Sequence, residues 1–409
     1  MNRKTLLILI VLFSSLTYGQ ESKKPYHFDG NISEEVLRNY LARSVTMTEV
    51  CVNSRFKIDG EDYTSKDNIR LIKNIDAKLI GRALFRWGGE QILNDPEFFS
   101  YAATVISEVH KFDPDVVFQA AVFEAVSVNV EKVGIPASAF EAYGLPVQQR
   151  NFSYDAMLFP SGKYKNHWGK GSSVPDVTQI ETKLWLHFLA TKYIDTGFEG
   201  IHWGQVALMG ANDPELAHWF ELLAMIRKYA KEHSRRHFVL NDAHAPAGGF
   251  IKDGELLFDF HSFPLRIKAK SDEPEEGMLE DGYYDAIYNK SFGGKSASGW
   301  SCENLPYIVE FDNFGISSDP GNPVRGAFIW GYDEISWFSL KSIDDQKAWL
   351  EYAYNWVQKT DPDGYLQMPV CRIVTNGIDK SHKYKANIKS ADCPDGTGLE
   401  TKIKELWSK

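Results

Sequence analysis

Basic residues are in short supply in this chain of 409 residues, with Lys and Arg totalling 45 against 55 Asp and Glu, a formal charge of −10. Such a balance excludes general nucleic-acid binding, which needs cationic surface to displace phosphate counterions. Cysteine is also scarce. Cys51, Cys302, Cys371 and Cys393 form no CxxC and no zinc-knuckle spacing, so stapling is the role expected of them, and a Cys371 to Cys393 bridge would pin a polar, turn-rich tail. The glycine-rich dinucleotide fingerprint and the phosphate loop are both missing, which removes the support for a doubly wound nucleotide-binding fold.

Long apolar runs are limited to one. Arg3 and Lys4 precede an unbroken apolar stretch over residues 6–13, then small and polar residues lead to Gly19. That layout is a secretory signal over residues 1–20, and no later run is long enough to cross a bilayer. The expectation is a secreted or periplasmic protein that keeps no membrane segment after cleavage. The leader carries two bases and no acid, so its loss takes the formal charge from −10 to −12.

Aromatic residues are plentiful, at 13% of the chain with 11 Trp and 19 Tyr. Exported proteins use such rings as flat platforms for sugars, because each has an apolar face and a polar edge. After a leader and helical stretch over residues 21–75, strand and helix signals alternate. Strands are expected at 78–87, 116–126, 154–159, 198–205, 237–244, 256–263, 307–312 and 325–332. Helices are expected at 95–110, 177–195, 214–232 and 344–359, the first opened by the cap and first-turn pair Asp95-Pro96. Eight buried-looking strands separated by helices or long loops fit an α/β fold, a (β/α)8 TIM barrel over residues 76–360. Residues 267–304 hold an insertion where a helix is due, and 361–409 are a short C-terminal extension.

The strand ends carry the chemistry. They read Arg86-Trp87, Phe123-Glu124, His202-Trp203-Gly-Gln205, Asn241-Asp242-Ala-His244, Asp259-Phe-His261, Glu310-Phe-Asp312-Asn313 and Trp330-Gly-Tyr332-Asp333-Glu334. Alternation puts Ile308, Glu310 and Asp312 on one strand face, an aliphatic base under two carboxylates. Hydrolysis of a glycosidic bond asks for such a set: one carboxylic acid for the leaving oxygen, a second carboxylate for the anomeric carbon or a water, neutral polar groups for hydroxyls and aromatic walls for rings.

In architecture and strand-end chemistry, residues 79–358 resemble the superfamily of (β/α)8-barrel glycoside hydrolases. In many retaining members the nucleophile is a Glu closing the seventh strand, which is the place of Glu310 in Ile-Val-Glu-Phe-Asp. Those members carry Asn-Glu as acid/base at the end of the fourth strand, whereas this chain reads Ile201-His-Trp-Gly-Gln205. The acid must therefore come from elsewhere, and Glu124 and Asp242 are the candidates, Glu124 first. His202, Gln205, Asn241, His261 and Asp312 are candidates for binding hydroxyls, and Trp87, Trp203, Trp330 and Tyr332 for subsite walls. Arg86 with Lys163, Lys165, His167 and Lys170 forms a basic cluster suited to uronate or sulfate groups. The partner expected is thus a carbohydrate, neutral or anionic, and no cofactor is expected.

Two other readings stand beside this one. Asp242, His244, Asp259 and His261 are ligand types of a metal-dependent hydrolase, although Phe85-Arg-Trp87 stands where amidohydrolase-like barrels carry His-x-His. A catalytically silent barrel that binds polysaccharide would keep the aromatic rings and lose nothing if Glu310 became Gln.

Overall fold

The computed structural model describes residues 25–57, 65–273, 276–313, 333–374 and 382–408. Its organising element is a curled, mostly parallel sheet of ten strands in a mixed α/β chain. In chain order these are β1 (Ser44–Met47), β2 (Leu79–Leu84), β3 (Val117–Ala121), β4 (Gly200–His202), β5 (Leu240–His244), β6 (Phe260–Pro264), β7 (Tyr307–Glu310), β8 (Gly364–Leu366), β9 (Met368–Val374) and β10 (His382–Lys385). They pair in the order β8-β7-β6-β5-β4-β3-β2-β1-β9-β10, with only β10 antiparallel to its neighbour. Gln367 alone separates β8 from β9. Its backbone N–H donates to the Val309 carbonyl of β7 at 2.8 Å, while its side-chain Oε1 accepts from Thr46 Oγ1 of β1 at 2.8 Å. One residue thus holds strands from the two far sides of the pairing order.

Among the described residues the α-helices of seven residues or more are α1 (Glu34–Leu41), α2 (Ser65–Ile75), α3 (Pro96–His110), α4 (Ile180–Thr196), α5 (Ala217–His233), α6 (Glu334–Leu340), α7 (Ile343–Thr360) and α8 (Glu400–Trp407). Their starts follow local chemistry. Asp95 accepts from the Glu97 N–H with Pro96 in the first turn of α3, and Ser33 and Ser342 cap α1 and α7 in the same way. Among the described residues no helix is long and apolar enough to cross a membrane.

Strand alternation sorts the sheet into two cores. Outward residues such as Ile80, Phe118, Ile201, Trp203, Tyr307 and Val309 join the large cluster beneath the helices, while Leu79, Val117, Leu240, Phe260 and Ile308 form a separate apolar floor. That floor is covered by the N-terminal segment, through Phe28, Ile32, Leu37, Tyr40 and Leu41. Tyr40 lies fully buried, its hydroxyl 2.8 Å from the carbonyls of Tyr26 and Asp115 and accepting from Arg236 Nη1 at 2.6 Å.

Several expectations need correcting. Residues 154–159 do not form a strand but a 3-10 turn, Asp155–Met157, because the short run ends at Pro160 and its apolar side chains pack beside α4, where Thr182 Oγ1 donates to the Met157 carbonyl. The first strand lies earlier than 78–87, in the four buried residues of β1, too brief to show a period. Residues 364–374 and 382–385 are strands of the central sheet, so the boundary at residue 360 and the separate extension do not hold; Pro369 and Arg372 interrupt the apolar run and hide it. The eighth expected strand, 325–332, lies outside the described residues. Cys393 is a buried free thiol, so the expected Cys371 to Cys393 bridge is not formed, and Cys371 Sγ lies 3.8 Å from the Thr48 carbonyl instead.

Replacing Tyr40 by Ala should therefore cost about 3–5 kcal/mol of unfolding free energy, as for other buried aromatics. Denaturant unfolding checks this, and a loss below about 1 kcal/mol would mean that the floor stands without its cover.

Candidate active site

Above the apolar floor the interior turns polar. Gln119 of β3 donates from Nε2 to Asp242 Oδ1 at 2.6 Å, and Asp242 Oδ2 meets His202 Nδ1 at 2.8 Å. Gly81 and Gly200 make room for this layer, since a Cβ at Gly81 would meet the Gln367 amide and one at Gly200 would press on the Gln119 side chain. Asp242 is 1% exposed and reaches the space above only through His202, which lines it.

Three distant strands then meet at one carboxylate. Glu310 at the end of β7 accepts from Arg82 Nη2 of β2 on one oxygen and from Arg372 Nη1 of β9, at 2.6 Å, on the other. Arg82 reaches this position through a backbone irregularity. The register of β2 shifts between Ile80 and Leu84, and Arg82 sits at φ 56° in the left-handed region. For a residue with a Cβ that conformation costs about 1–3 kcal/mol and persists only where neighbours enforce it. Glu310, the Phe123 ring 5.4 Å from the guanidinium, and the Glu49 N–H on the Arg82 carbonyl do so here. Arg372 Nη2 also donates to Asn313 Oδ1 at 2.6 Å, which ties down the chain just beyond β7.

Two further carboxyl groups face the same space. Asp312 lines it and accepts the Asn313 N–H on Oδ1. Burial pushes the Asp312 carboxyl up, but Arg82, Arg266, Arg372 and His244 outweigh burial and hold it below the ordinary Asp value. Glu124, just past β3, accepts from the Gln205 backbone N–H and from Gln205 Nε2, both at 2.9 Å. Gly204 permits that seat: with φ at +62°, it has no side chain where the Glu124 carboxylate approaches. Trp87, Phe123 and Trp168 wall this side, and Trp168 Nε1 donates to the Glu124 carbonyl at 3.0 Å. The cavity so enclosed measures about 500 Å³. His244 also lines it, an imidazole whose pKa burial pushes down to about 4 and whose Nε2 has no hydrogen-bond partner among the described residues.

The structure thus brings Glu310, Glu124, Asp312, His202, Gln205 and Trp87 to one cavity and sets Asp242 directly behind His202. Four expected site residues are elsewhere. Asn241, Trp203 and His261 lie on the outward faces of their strands: Asn241 accepts from Trp203 Nε1 at 3.0 Å, and His261 is enclosed by Phe250 and Phe258. Strand parity is the reason, since each is one residue out of step with Asp242, His202 or Ser262. Arg86 turns away to donate to the Phe56 carbonyl at 2.6 Å, so it makes no cluster with Lys163, Lys165, His167 and Lys170, and the loop bearing those cations contributes Trp168 instead. Trp330 and Tyr332 lie outside the described residues. The same parity separates Asp242 and His244 from Asp259 and His261, and among the described residues no group of three or more His, Cys, Asp or Glu could hold a metal ion.

Sequence reasoning missed Arg82, Arg372, Gln119 and Trp168. The first three had a signal, a single polar side chain inside an otherwise apolar strand.

No family model matches the chain, and no curated protein matches it. Several solved structures resemble it, and they are glycoside hydrolases. The debranching enzyme of Nostoc punctiforme shares 9% identity over 90% of this chain and 80% of its own, at a TM-score of 0.46. A GH31 dextranase of Flavobacterium johnsoniae shares 11% identity over 91% of this chain and 41% of its own, at 0.42. A GH27 β-L-arabinopyranosidase of Geobacillus stearothermophilus shares 11% identity over 80% and 73%, at 0.38. At identities and TM-scores this low, fold and reaction rest on the chain's own residues.

Two outcomes are expected from this geometry. Glu310→Gln leaves two buried guanidinium groups short of their counter-charge, so unfolding free energy should fall by about 3–5 kcal/mol; a loss under about 1 kcal/mol in denaturant unfolding contradicts the clamp. His261, with neither ring nitrogen hydrogen-bonded among the described residues, has its pKa pushed down to about 3 by burial. The unfolded chain takes up a proton there below about pH 6.5 and the folded one does not, so this group erodes stability as pH falls from about 6.5 towards 3. The melting temperature of His261→Leu should therefore gain on the wild type between pH 7 and pH 5, and an offset independent of pH would count against it.

Proposed function

We propose that this protein is a glycoside hydrolase, with its active site in the cavity above β2, β4, β7 and β9. The observation that carries the reading is the convergence of Glu124, Glu310 and Asp312 on one aromatic-walled space. The proposal includes closure of the sheet as a (β/α)8 barrel, with β8 and β9 as two halves of the eighth strand joined through Gln367. Export by the leader, and an oligo- or polysaccharide substrate, belong to the same proposal.

The three carboxyl groups divide by their partners. Glu310 has a guanidinium on each oxygen, so its part is to hold Arg82 and Arg372. Among the described residues the Glu124 carboxylate has only neutral amide hydrogen-bond partners, and it faces the cavity, which suits the group that protonates the leaving glycosidic oxygen. Asp312, kept anionic by the surrounding cations, faces the anomeric carbon as positive charge develops there. Among the described residues lining the cavity, Glu124, Glu310 and Asp312 stand with one guanidinium, Arg82, a balance that favours a neutral glycan and a cationic transition state over an anionic sugar.

Glu124→Gln should lower kcat by about 10²–10⁴ on substrates with poor leaving groups, with a much smaller loss on aryl glycosides whose leaving group needs no proton. Asp312→Asn should lower both. These rates are measured on folded variants checked by circular dichroism. A normal rate for Asp312→Asn on every substrate would overturn the assignment.

A further inference from the structure

His202 stands at the end of β4, where the sequence lacks the carboxylate that the resemblance called for. Its hydrogen-bond partners select its tautomer. The Arg82 backbone N–H donates to Gln119 Oε1 at 3.4 Å, so the Gln119 amide presents Nε2 to Asp242 Oδ1 at 2.6 Å. Asp242 is thereby an acceptor on that oxygen, and its other oxygen accepts from His202 Nδ1 at 2.8 Å. A neutral imidazole with its hydrogen on Nδ1 has an unprotonated Nε2. His202 lines the cavity and Asp242, which does not, holds its Nδ1, an arrangement that leaves Nε2 for the cavity side.

Neighbouring groups narrow the role. Ser262 Oγ lies 3.4 Å from the same Nδ1 that meets Asp242, not from Nε2, so this is no serine-nucleophile triad. The Phe123 ring stands 5.9 Å from the imidazole and fixes its tilt. The titratable or charged groups around His202 are Asp242 behind it and Arg82, Glu124, His244, Glu310 and Asp312 around the cavity. His244 is too weakly basic in its buried setting to compete for a proton near neutrality.

We propose that His202, oriented by Asp242, is the general base that takes a proton from the attacking water. The inference rests on the glycosidase reading. The water oxygen forms the new bond to the anomeric carbon while one of its protons passes to His202 Nε2. The electron pair of the breaking bond goes to the glycosidic oxygen, which takes the proton of the Glu124 carboxyl. The imidazolium, its Nδ1–H still on Asp242, returns its extra proton to Glu124 through solvent, so one water is consumed and two hydroxyls result. His202 is a catalytic residue in this scheme and Asp242 a positioning residue.

The test uses the full chain and a panel of neutral oligosaccharides and aryl glycosides. His202→Gln should lower kcat at least 100-fold with KM changed less than threefold, and should abolish the acid limb of the pH profile of kcat/KM; imidazole in the buffer should partly restore His202→Gly. Asp242→Asn should shift that limb as well as lower kcat. Independently of any variant, the His202 ring titration followed by nitrogen NMR should match the acid limb of the wild type. A near-normal rate for His202→Gln, or a limb that fails to follow the imidazole titration, overturns the inference while a dead Glu124→Gln keeps the glycosidase reading. A wild type that cleaves no member of the panel overturns that reading, and the role of His202 with it.

Discussion

The grip of Glu310 on Arg82 and Arg372 is the interaction on which the site depends. It ties β7 to β2 and β9 across the interior, at the level where the apolar floor ends and the polar layer begins. Buried charges are tolerable only when paired and hydrogen-bonded, and here the pairing also holds a left-handed Arg82 and the chain leading to Asp312. Backbone strain at β2 and electrostatic attraction to β7 are therefore two sides of one arrangement. The same cations hold the Asp312 carboxyl below its ordinary pKa despite burial, so the structural clamp and the proposed anionic group share a single field.

Much of the layout was legible in the sequence. Alternation in Ile308, Glu310 and Asp312 correctly placed an aliphatic floor under carboxylates, and Leu240, Asp242 and His244 follow the same rule on β5. Applied consistently, that rule would also have sent Asn241, Trp203 and His261 outward. Grouping neighbours at a strand end ignores the fact that adjacent residues face opposite ways. Arg82 escaped because a bulge breaks the alternation, and parity alone would have assigned it to the helical layer. The C-terminal strands escaped because a proline and a charge interrupt their apolar run, and the charge that disguised β9, Arg372, is the one the site uses.

The middle layer shows how a small space holds polar groups. Gly81 and Gly200 leave room that Gln367 and Gln119 fill, so each amide serves both packing and hydrogen bonding. From Gln119 the hydrogen bonds run through Asp242 to His202, which links the depth of the sheet to the edge of the cavity. Aromatic residues do the complementary work beside His202, where Trp87, Phe123 and Trp168 close around the peptide that bears Glu124.

The most direct test of the account is a crystal structure of the Glu124→Gln variant soaked with a cleavable oligosaccharide. The account predicts a glycosidic oxygen within hydrogen-bond reach of residue 124, the adjoining anomeric carbon facing Asp312, and sugar rings against Trp87 or Trp168. An oligosaccharide bound away from this cavity, or lying in it with no scissile bond between residues 124 and 312, would contradict the assignment.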